Sequence, residues 1–304
     1  MALRTPIDDC ALQLVAAQFG LEMVRHAYID GGVENTSYAV TTNQGQFVFT
    51  ILGRRTMGSA ASYAAYLRSL ADHGLPVPTL RGRPGGGHVA AYRGKPVIAT
   101  VYVDGRCGGH LTDENLFALG AILAELHDSQ VECDLPPSVR LRDDDLEQVD
   151  HLTDPAFAEW FVALHDKVRG VVERRDPPVP THGDLFCDNV VVTPGRDLML
   201  IDWEDGARDL ALVDVAMAIL GLCAEARLVP SRVDRLLTGY RSRRTLEGDT
   251  RDLLHATIYA GLVVTYRRYL RNDDCVGATD PRSHRAMQYI VDSLACVGNR
   301  AGLW

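Results

Sequence analysis

Hydrophobic and polar residues alternate with two different periods along the chain, and the two periods occupy different parts of it. Strand-like alternation, interrupted by two helical stretches, fills the first third. Turn residues such as Gly31-Gly32 and Asn43-Gln44-Gly45 separate the strand-like segments. The helices are predicted at about 6–19 and 58–73, and the strands at about 22–30, 36–42, 46–53, 88–93 and 96–102. This order predicts a five-stranded antiparallel sheet with two helices.

After about residue 104 the apolar residues recur at the period of a helix. A region of loops and short strands at about 180–202 interrupts the pattern. The helices are predicted at about 112–128, 153–174, 209–225, 230–243, 248–272 and 282–298. Strands followed by helices indicate an α+β, two-lobed protein. We expect one lobe over residues 1–103 and a mostly helical lobe over residues 104–304.

Composition excludes some classes of partner. The formal net charge of −9 argues against a nucleic-acid partner, which requires a basic surface to neutralise phosphates. The seven cysteines are odd in number and form no CxxC pair, which favours a reduced cytoplasmic compartment. The apolar runs are too short to span a membrane. We therefore expect a cytoplasmic monomer or homodimer that acts on a small molecule.

One segment, HGDLFCDNVVVTPGRDLMLIDWEDG over residues 182–206, carries the strongest chemical signal. Asn189 follows Asp184 by five residues, and Asp202 comes thirteen residues later. The stretch between them, VVVTPGRDLMLI, is typical of a short β-hairpin, which would return Asp202 to the other two side chains. Asp and Asn also cap turns, but the preceding His-Gly and the apolar hairpin favour a functional loop. His182 is expected to brace this loop, with Asp214 as a candidate partner.

These residue types suit phosphoryl transfer. A carboxylate such as Asp184 can take the proton of an acceptor hydroxyl or orient that hydroxyl. The oxygens of Asn189 and Asp202 are hard ligands of the kind that Mg²⁺ prefers. The segment therefore predicts a kinase that uses ATP and Mg²⁺, with Asp184, Asn189 and Asp202 in the catalytic site.

The same segment resembles the aminoglycoside phosphotransferase superfamily, and within it the homoserine kinase type is the most similar. GGVENTSYAVTTNQGQFVFTIL (31–52), LADHGLPVP (70–78) and GKPVIATVYVDGR (94–106) also resemble that subgroup, as does LTGYRSRRTL (237–246). The resemblance implies a protein-kinase-like fold with ATP between the two lobes. It also implies phosphate contacts from the loop between the first two strands, and adenine contacts near the end of the fifth strand. The nucleotide-binding candidates are Gly31, Gly32, Asn35, Thr36, Ser37, Thr50, Thr100, Tyr102 and Val103.

The chain departs from the usual kinase pattern at one charged position. Kinases usually place a lysine on the third strand, where this chain has Thr50. The homoserine kinase subgroup tends to carry a small polar residue there. The chain has only two lysines, and Lys95 is the one in the first lobe. Lys95 is therefore a candidate phosphate ligand, with Arg54 and Arg55 as rivals.

The acceptor is left open by the sequence. After Asp202 the chain lacks the aromatic and Asn-Asp-Trp features of homoserine kinases. Candidate acceptor residues are Asp184, Glu204, Asp205, Asp209, Arg267 and Tyr269. The acids suit a pocket for an acceptor that carries an amine, and they equally suit a solvated acidic turn. Three hypotheses follow: a kinase for homoserine or another amino alcohol, an antibiotic phosphotransferase for resistance or self-protection, and a catalytically inactive nucleotide-binding regulator.

Overall fold

The computed structural model describes residues 5–30, 35–131, 140–152, 155–224 and 228–267. The chain divides into two compact units. The first comprises Met1–Arg106, Gln130–Leu135 and Val191–Ile201. The second comprises Cys107–Ser129, Pro136–Val190 and Asp202–Trp304. The first unit thus contains most of the strands, and the second contains most of the helices.

The first unit is built on the predicted five-stranded antiparallel sheet. Its strands are β1 (Met23–Ile29), β2 (Thr36–Thr42), β3 (Gly45–Ile51), β4 (Val89–Tyr92) and β5 (Lys95–Val101). They lie in the order β1-β2-β3-β5-β4, with antiparallel pairing throughout. The predicted strands are therefore confirmed, with every bound within two residues of the prediction.

Two helices complete this unit, α1 (Asp9–Gln18) and α2 (Met57–Asp72). Helix α1 packs on the sheet face that carries Tyr38, Val40 and Phe49. Helix α2 contacts β4 and β5. Helix α1 begins at Asp9 and not at about residue 6 as predicted, because Asp8 caps it by accepting a hydrogen bond from the Ala11 amide at 2.8 Å.

The second unit contains six α-helices among its described residues. They are α3 (Asp113–Asp128), α4 (Asp143–Leu152), α5 (Pro155–Val168), α6 (Ala211–Cys223), α7 (Pro230–Arg241) and α8 (Thr250–Thr265). Helix α6 is almost wholly buried and contacts α3, α7 and α8. It therefore forms the centre of this unit. The helix predicted at 282–298 lies outside the described residues.

Helices α3 and α7 cross at very short range because each carries a glycine at the contact. A β-carbon at Gly120 would overlap the carbonyl oxygen of Leu236, and one at Gly239 would overlap that of Phe117. Only glycine lets the two backbones approach so closely. Helices α3 and α7 also carry His127 and Tyr240, whose side chains are in contact with each other.

Short strands frame the 182–206 segment. Strand β6 (Arg106–Cys107) belongs to a small sheet of order β6-β8-β9, in which β8 (Val190–Val192) and β9 (Leu198–Leu200) form the predicted hairpin. Strands β7 (Val179–Thr181) and β10 (Ala207–Asp209) pair antiparallel, with Thr181 opposite Ala207. Since β7 leads into the loop and β10 leaves it, this pairing closes the segment on itself.

In the part of the chain that the structure describes, no helix has the length and apolar character needed to cross a membrane.

Candidate active site

The loop after β7 brings Asp184 and Asn189 together. A 3₁₀ turn at Cys187–Asn189 places the Asn189 amide against the start of the loop. Its Nδ2 donates to the Asp184 carbonyl oxygen at 2.8 Å and to the Asp184 carboxylate Oδ2 at 3.3 Å. Asn189 is buried, so these bonds fix its side chain. The spacing of five residues thus serves a closed loop, as expected.

Asp202 follows β9 and stands in a strongly negative environment. It adopts a left-handed backbone conformation with φ of 58°, which is uncommon for a residue other than glycine. Crowding by surrounding atoms, followed by the negative charges of Glu204, Asp184, Asp205 and Asp188, raises the pKa of Asp202 to about 7. The side chain keeps an accessible surface, so a cation in solution can reach it.

The side chains of Asn189 and Asp202 suit a hard divalent cation whose remaining ligands come from phosphates and water. Asn189 and Asp202 offer oxygen ligands, which Mg²⁺ prefers. No group of three His, Cys, Asp or Glu side chains in the described ranges is arranged to hold a metal ion by itself. Mg²⁺ in kinases commonly takes its other ligands from phosphates and water. The excess negative charge around Asp202 is consistent with such a site.

His182 braces the loop. Its ring lies against the indole of Trp203, with 4.5 Å between the ring centroids, and both residues are buried. The Asp184 amide points to His182 Nδ1 at 3.4 Å. Gly183, with φ of +78°, is required next to it because a β-carbon there would overlap the Asp205 carbonyl oxygen. These contacts agree with the bracing role expected for His182.

Asp214 on α6 anchors the same loop from behind. Its carboxylate accepts hydrogen bonds from the His182 amide at 3.0 Å and the Gly183 amide at 2.8 Å. It also meets His127 Nε2 on α3 at 3.0 Å, and His127 Nδ1 lies 2.8 Å from the Tyr240 hydroxyl on α7. The four residues of this network are all buried: His127, His182, Asp214 and Tyr240.

The charge state of Asp214 follows from this network. Burial opposes its ionisation, but the hydrogen bond and charge of His127 and the amide of Gly183 outweigh burial and hold the pKa of Asp214 below its ordinary value. The sequence suggests Asp214 as a partner of His182, and the structure shows that the partner is the main-chain amide. His127 and Tyr240 are absent from the sequence-based candidates because only tertiary packing brings α3 and α7 to α6.

Three of the acceptor-side candidates, Asp205, Asp209 and Arg267, line a pocket within the second unit, and Asp184 and Glu204 are not among its lining residues. Asp205 and Asp209 face it together with Arg140 and Arg267, beside Gly183. Apolar side chains, including those of Met217 and Val263, complete the wall. Glu204 precedes Asp205 in the chain and is half-buried. Tyr269 lies outside the described residues.

Two arginine–aspartate pairs line this pocket. Arg140 Nη2 lies 2.6 Å from Asp209 Oδ1, and Arg267 Nη1 lies 3.2 Å from Asp205 Oδ2. Each aspartate therefore faces an arginine, so the pocket offers both signs of charge. Arg140 escapes sequence reasoning because more than sixty residues separate it from Asp209.

The nucleotide candidates of the first unit lie on two faces of its sheet. Ser37 Oγ and Thr50 Oγ1 are 3.2 Å apart on the half-buried face, opposite the face that α1 covers. Thr36 points the other way: it is buried, and its hydroxyl accepts a hydrogen bond from the Thr5 amide at 2.9 Å. Asn35 Oδ1 accepts from the Gly53 amide at 3.0 Å. Gly31 and Gly32 lie outside the described residues.

The remaining candidates of this unit are distributed along β5 and its end. Lys95 Nζ donates to the Thr5 hydroxyl at 2.9 Å, so it ties the N-terminal segment to the sheet. Thr100 is half-buried and bridges to Leu80. The amide of Tyr102 donates to the Gln46 carbonyl oxygen at 2.9 Å, and its side chain is exposed. Val103, next in the chain, is half-buried.

Comparison with known proteins gives this geometry a family. Residues 26–248 match the model of the phosphotransferase enzyme family. The homoserine kinase of Burkholderia multivorans is 28% identical over 285 residues, covering 85% of this chain and 85% of that protein. The homoserine kinase of Polaromonas naphthalenivorans is 27% identical over 242 residues, covering 76% of this chain and 77% of its own length.

Solved structures agree on the fold. A spectinomycin phosphotransferase in complex with ADP and spectinomycin has a TM-score of 0.71 at 15% identity, covering 98% of this chain and 100% of its own. A microcompartment-associated aminopropanol kinase has a TM-score of 0.72 at 17% identity, with coverage of 96% and 97%. These likenesses confirm the expected α+β, protein-kinase-like fold. With three quarters of its length matched by the family model, the chain belongs to the phosphotransferase enzyme family.

Proposed function

We propose that this protein is an ATP-dependent kinase that phosphorylates a hydroxyl group of a small, amine-bearing molecule of the homoserine type. The observation that carries the proposal is the closed loop in which Asn189 holds the Asp184 carboxylate, with Asp202 adding to the same negative field. The similarity to homoserine kinases over 85% of the chain supports the choice of acceptor.

Asp184 has the central role in the proposed reaction. The acceptor oxygen forms a bond to the γ-phosphorus of ATP while the bond from that phosphorus to the β,γ-bridging oxygen breaks. The hydroxyl proton passes to the Asp184 carboxylate, and ADP leaves with the bridging oxygen. The bond from Asn189 Nδ2 and the Asp214 anchor hold the Asp184 segment in place, so little reorganisation is required during transfer.

Asn189 and Asp202 would hold Mg²⁺, which when bound supplies positive charge to the phosphate oxygens. The raised pKa of Asp202 supports this assignment, since a cation there would offset the repulsion among the surrounding acids.

The half-buried face of the first sheet would receive the nucleotide. Ala39 and Val48 give this face an apolar surface, and the Ser37 and Thr50 hydroxyls lie at its edge. Main-chain amides of residues 31–37 would meet the phosphates in place of a third-strand lysine. The adenine would lie near Thr100, Tyr102 and Val103. Lys95 is the weaker candidate for a phosphate contact because Thr5 already engages its ammonium group.

A coupled ADP-release screen tests this function. The screen offers homoserine, other amino alcohols, choline-like amines, and aminoglycoside, nucleoside and peptide antibiotics, each with and without Mg²⁺. We expect Mg²⁺-dependent ADP release with a small amino alcohol or hydroxy amino acid. Turnover confined to an antibiotic would establish the alternative, an antibiotic phosphotransferase. Nucleotide binding without turnover of any acceptor would instead favour a catalytically inactive regulator. The presence of Asp184, Asn189 and Asp202 together argues against that alternative.

A further inference from the structure

Two arginine–aspartate pairs face the pocket beside the catalytic loop, and they differ in how tightly they are held. Arg140 Nη2 lies 2.6 Å from Asp209 Oδ1, whose side chain is only 6% exposed. The same oxygen accepts a hydrogen bond from the Leu210 amide at 2.7 Å. Arg140 also donates to the Val172 carbonyl oxygen. This pair is therefore built into the wall of the pocket.

In the second pair the exposed partner is the carboxylate, whereas in the first it is the guanidinium group. Arg267 Nη1 lies 3.2 Å from Asp205 Oδ2, and the Asp205 side chain is 41% exposed. The same nitrogen lies 3.5 Å from the carbonyl oxygen of Gly183, the residue that precedes Asp184. The guanidinium group and the carboxylate thus stand side by side, next to the residue expected to receive the hydroxyl proton.

We propose that Arg267 and Asp205 select a zwitterionic acceptor, with Arg267 binding its carboxylate and Asp205 binding its ammonium group. This inference rests on the proposed function and narrows it: the acceptor is a hydroxylated α-amino acid and not a simple amino alcohol. The planar guanidinium group matches a carboxylate with two parallel hydrogen bonds, which a lysine cannot reproduce. Arg267 is therefore a specificity-determining residue.

The surrounding charges support this assignment. Asp184, Asp188, Asp202, Glu204 and Asp205 make this end of the second unit strongly negative. An acceptor that carried only an amine would be attracted by these acids without help from an arginine. An acceptor carboxylate would be repelled there unless a cation met it. Arg267, with a side chain only 16% exposed, is placed to supply that cation.

Three acceptors that differ by a single group provide the test. L-Homoserine carries the hydroxyl, the ammonium and the carboxylate; 3-aminopropan-1-ol lacks the carboxylate; 4-hydroxybutanoate lacks the ammonium. We expect the unaltered enzyme to favour homoserine over each of the others by about 100-fold or more in kcat/KM, because each of the others loses one of the two charge-assisted contacts. A preference for 3-aminopropan-1-ol would overturn the proposal.

Substitutions then separate the two charged groups. Arg267→Gln should lower kcat/KM for homoserine by about 30-fold or more and change that for 3-aminopropan-1-ol by less than about threefold. Unchanged turnover of 3-aminopropan-1-ol also shows that the variant is folded. For Arg267→Lys, kcat/KM for homoserine should fall between the values of the unaltered enzyme and Arg267→Gln, since lysine keeps the positive charge but cannot form two parallel hydrogen bonds. Asp205→Asn should lower kcat/KM for both homoserine and 3-aminopropan-1-ol. It should not lower kcat/KM for 4-hydroxybutanoate, which has no ammonium group.

An arginine of an exposed ion pair elsewhere serves as the matched control. Arg243 Nε lies 3.6 Å from Glu125 Oε1 at the surface. Arg243→Gln should leave kcat/KM for all three acceptors unchanged. Equal losses for homoserine and 3-aminopropan-1-ol in Arg267→Gln would overturn the role of Arg267 while leaving the kinase proposal intact.

Calorimetric titration of homoserine separates the failure of the inference from the failure of the proposed function. Saturable binding that Arg267→Gln abolishes would support the zwitterion site even if no ADP were released. Absence of binding by homoserine, together with turnover of an antibiotic, would overturn it.

Discussion

Asp202 lies among carboxylates whose negative charges help to raise its pKa. Because its folded pKa of about 7 is above the unfolded value, the folded protein holds a proton that the unfolded chain has lost between about pH 4 and pH 7. Its contribution to stability is therefore greatest below about pH 4 and declines as the pH rises to about 7. The accessible surface of the side chain reduces the size of this effect.

The neutral variant Asp202→Asn should reveal this charge effect. Its Tm, measured in a chelator, should rise relative to that of the unaltered protein by roughly 2–4 °C between pH 5 and pH 8, on the order of 1 kcal/mol after discounting for solvent. Asp197→Asn, an exposed acid in the turn between β8 and β9, is the matched control and should show a constant difference. A Tm difference for Asp202→Asn that stays flat across this range would contradict the charge argument.

The sequence makes Lys95 a candidate phosphate ligand, but its contacts favour a structural role. Its ammonium bonds to Thr5, whose amide in turn bonds to Thr36. Lys95→Met should therefore lower the Tm by a few degrees and change KM for ATP by less than about threefold. A rise in KM of tenfold or more, equal to about 1.4 kcal/mol, would return Lys95 to the phosphate site. Steady-state kinetics with ATP varied decides between the two.

At the scale of elements, helix α6 holds the start of the proposed catalytic loop through one carboxylate. Asp214 accepts hydrogen bonds through both oxygens, so the amide of Asp214→Asn would place an N–H against another donor. We expect kcat to fall by about 10²-fold and the Tm to fall as well, with KM for ATP changed little.

Asp234→Asn on the exposed side of α7 is the control for that substitution. Kinetics and thermal unfolding of both variants provide the comparison. A kcat for Asp214→Asn that equals the control would show that the loop does not depend on this anchor.

The contact between α3 and α7 sets the position of His127 and Tyr240, and it depends on glycine. Gly239→Ala should lower the free energy of unfolding by roughly 2–3 kcal/mol, since the new methyl group has no space beside the Phe117 carbonyl. Gly170→Ala is the matched control, because nothing lies within 4 Å of a β-carbon there. Urea titration of both variants measures the difference, and equal midpoints would contradict the packing argument.

The elements show which structural features local sequence encodes. Helical and strand periods predicted the sheet and most of the helices, because burial of one face imposes those periods. Helix α4 (Asp143–Leu152) went unpredicted, since its acidic sequence has few apolar residues to mark a face. The pairing of β7 with β10 also went unpredicted: three-residue strands carry no period of their own, and the chain between them sets the pairing.

For the whole molecule, local motif and tertiary structure contribute different parts of the site. The contact between Asp184 and Asn189 followed from spacing within one loop. Arg140, His127 and Tyr240 did not, because partners more than sixty residues apart leave no local pattern. The pairing of Asp209 and Asp205 with arginines has the same cause. Local sequence thus indicates the proposed reaction, and the fold brings together the charged groups on which the proposed choice of acceptor rests.

The central claim is that Asp184 serves the transfer of phosphate from ATP to an acceptor hydroxyl. Phosphorus NMR of reactions with ATP, Mg²⁺ and L-homoserine, run with the unaltered protein and with Asp184→Asn, tests it most directly. We predict a new phosphomonoester signal that grows in step with ADP, and a rate lower by about 10²–10⁴-fold in the variant, whose nucleotide affinity should be nearly unchanged. Formation of the ester at the same rate in Asp184→Asn, or ADP and inorganic phosphate without any ester, would contradict the account.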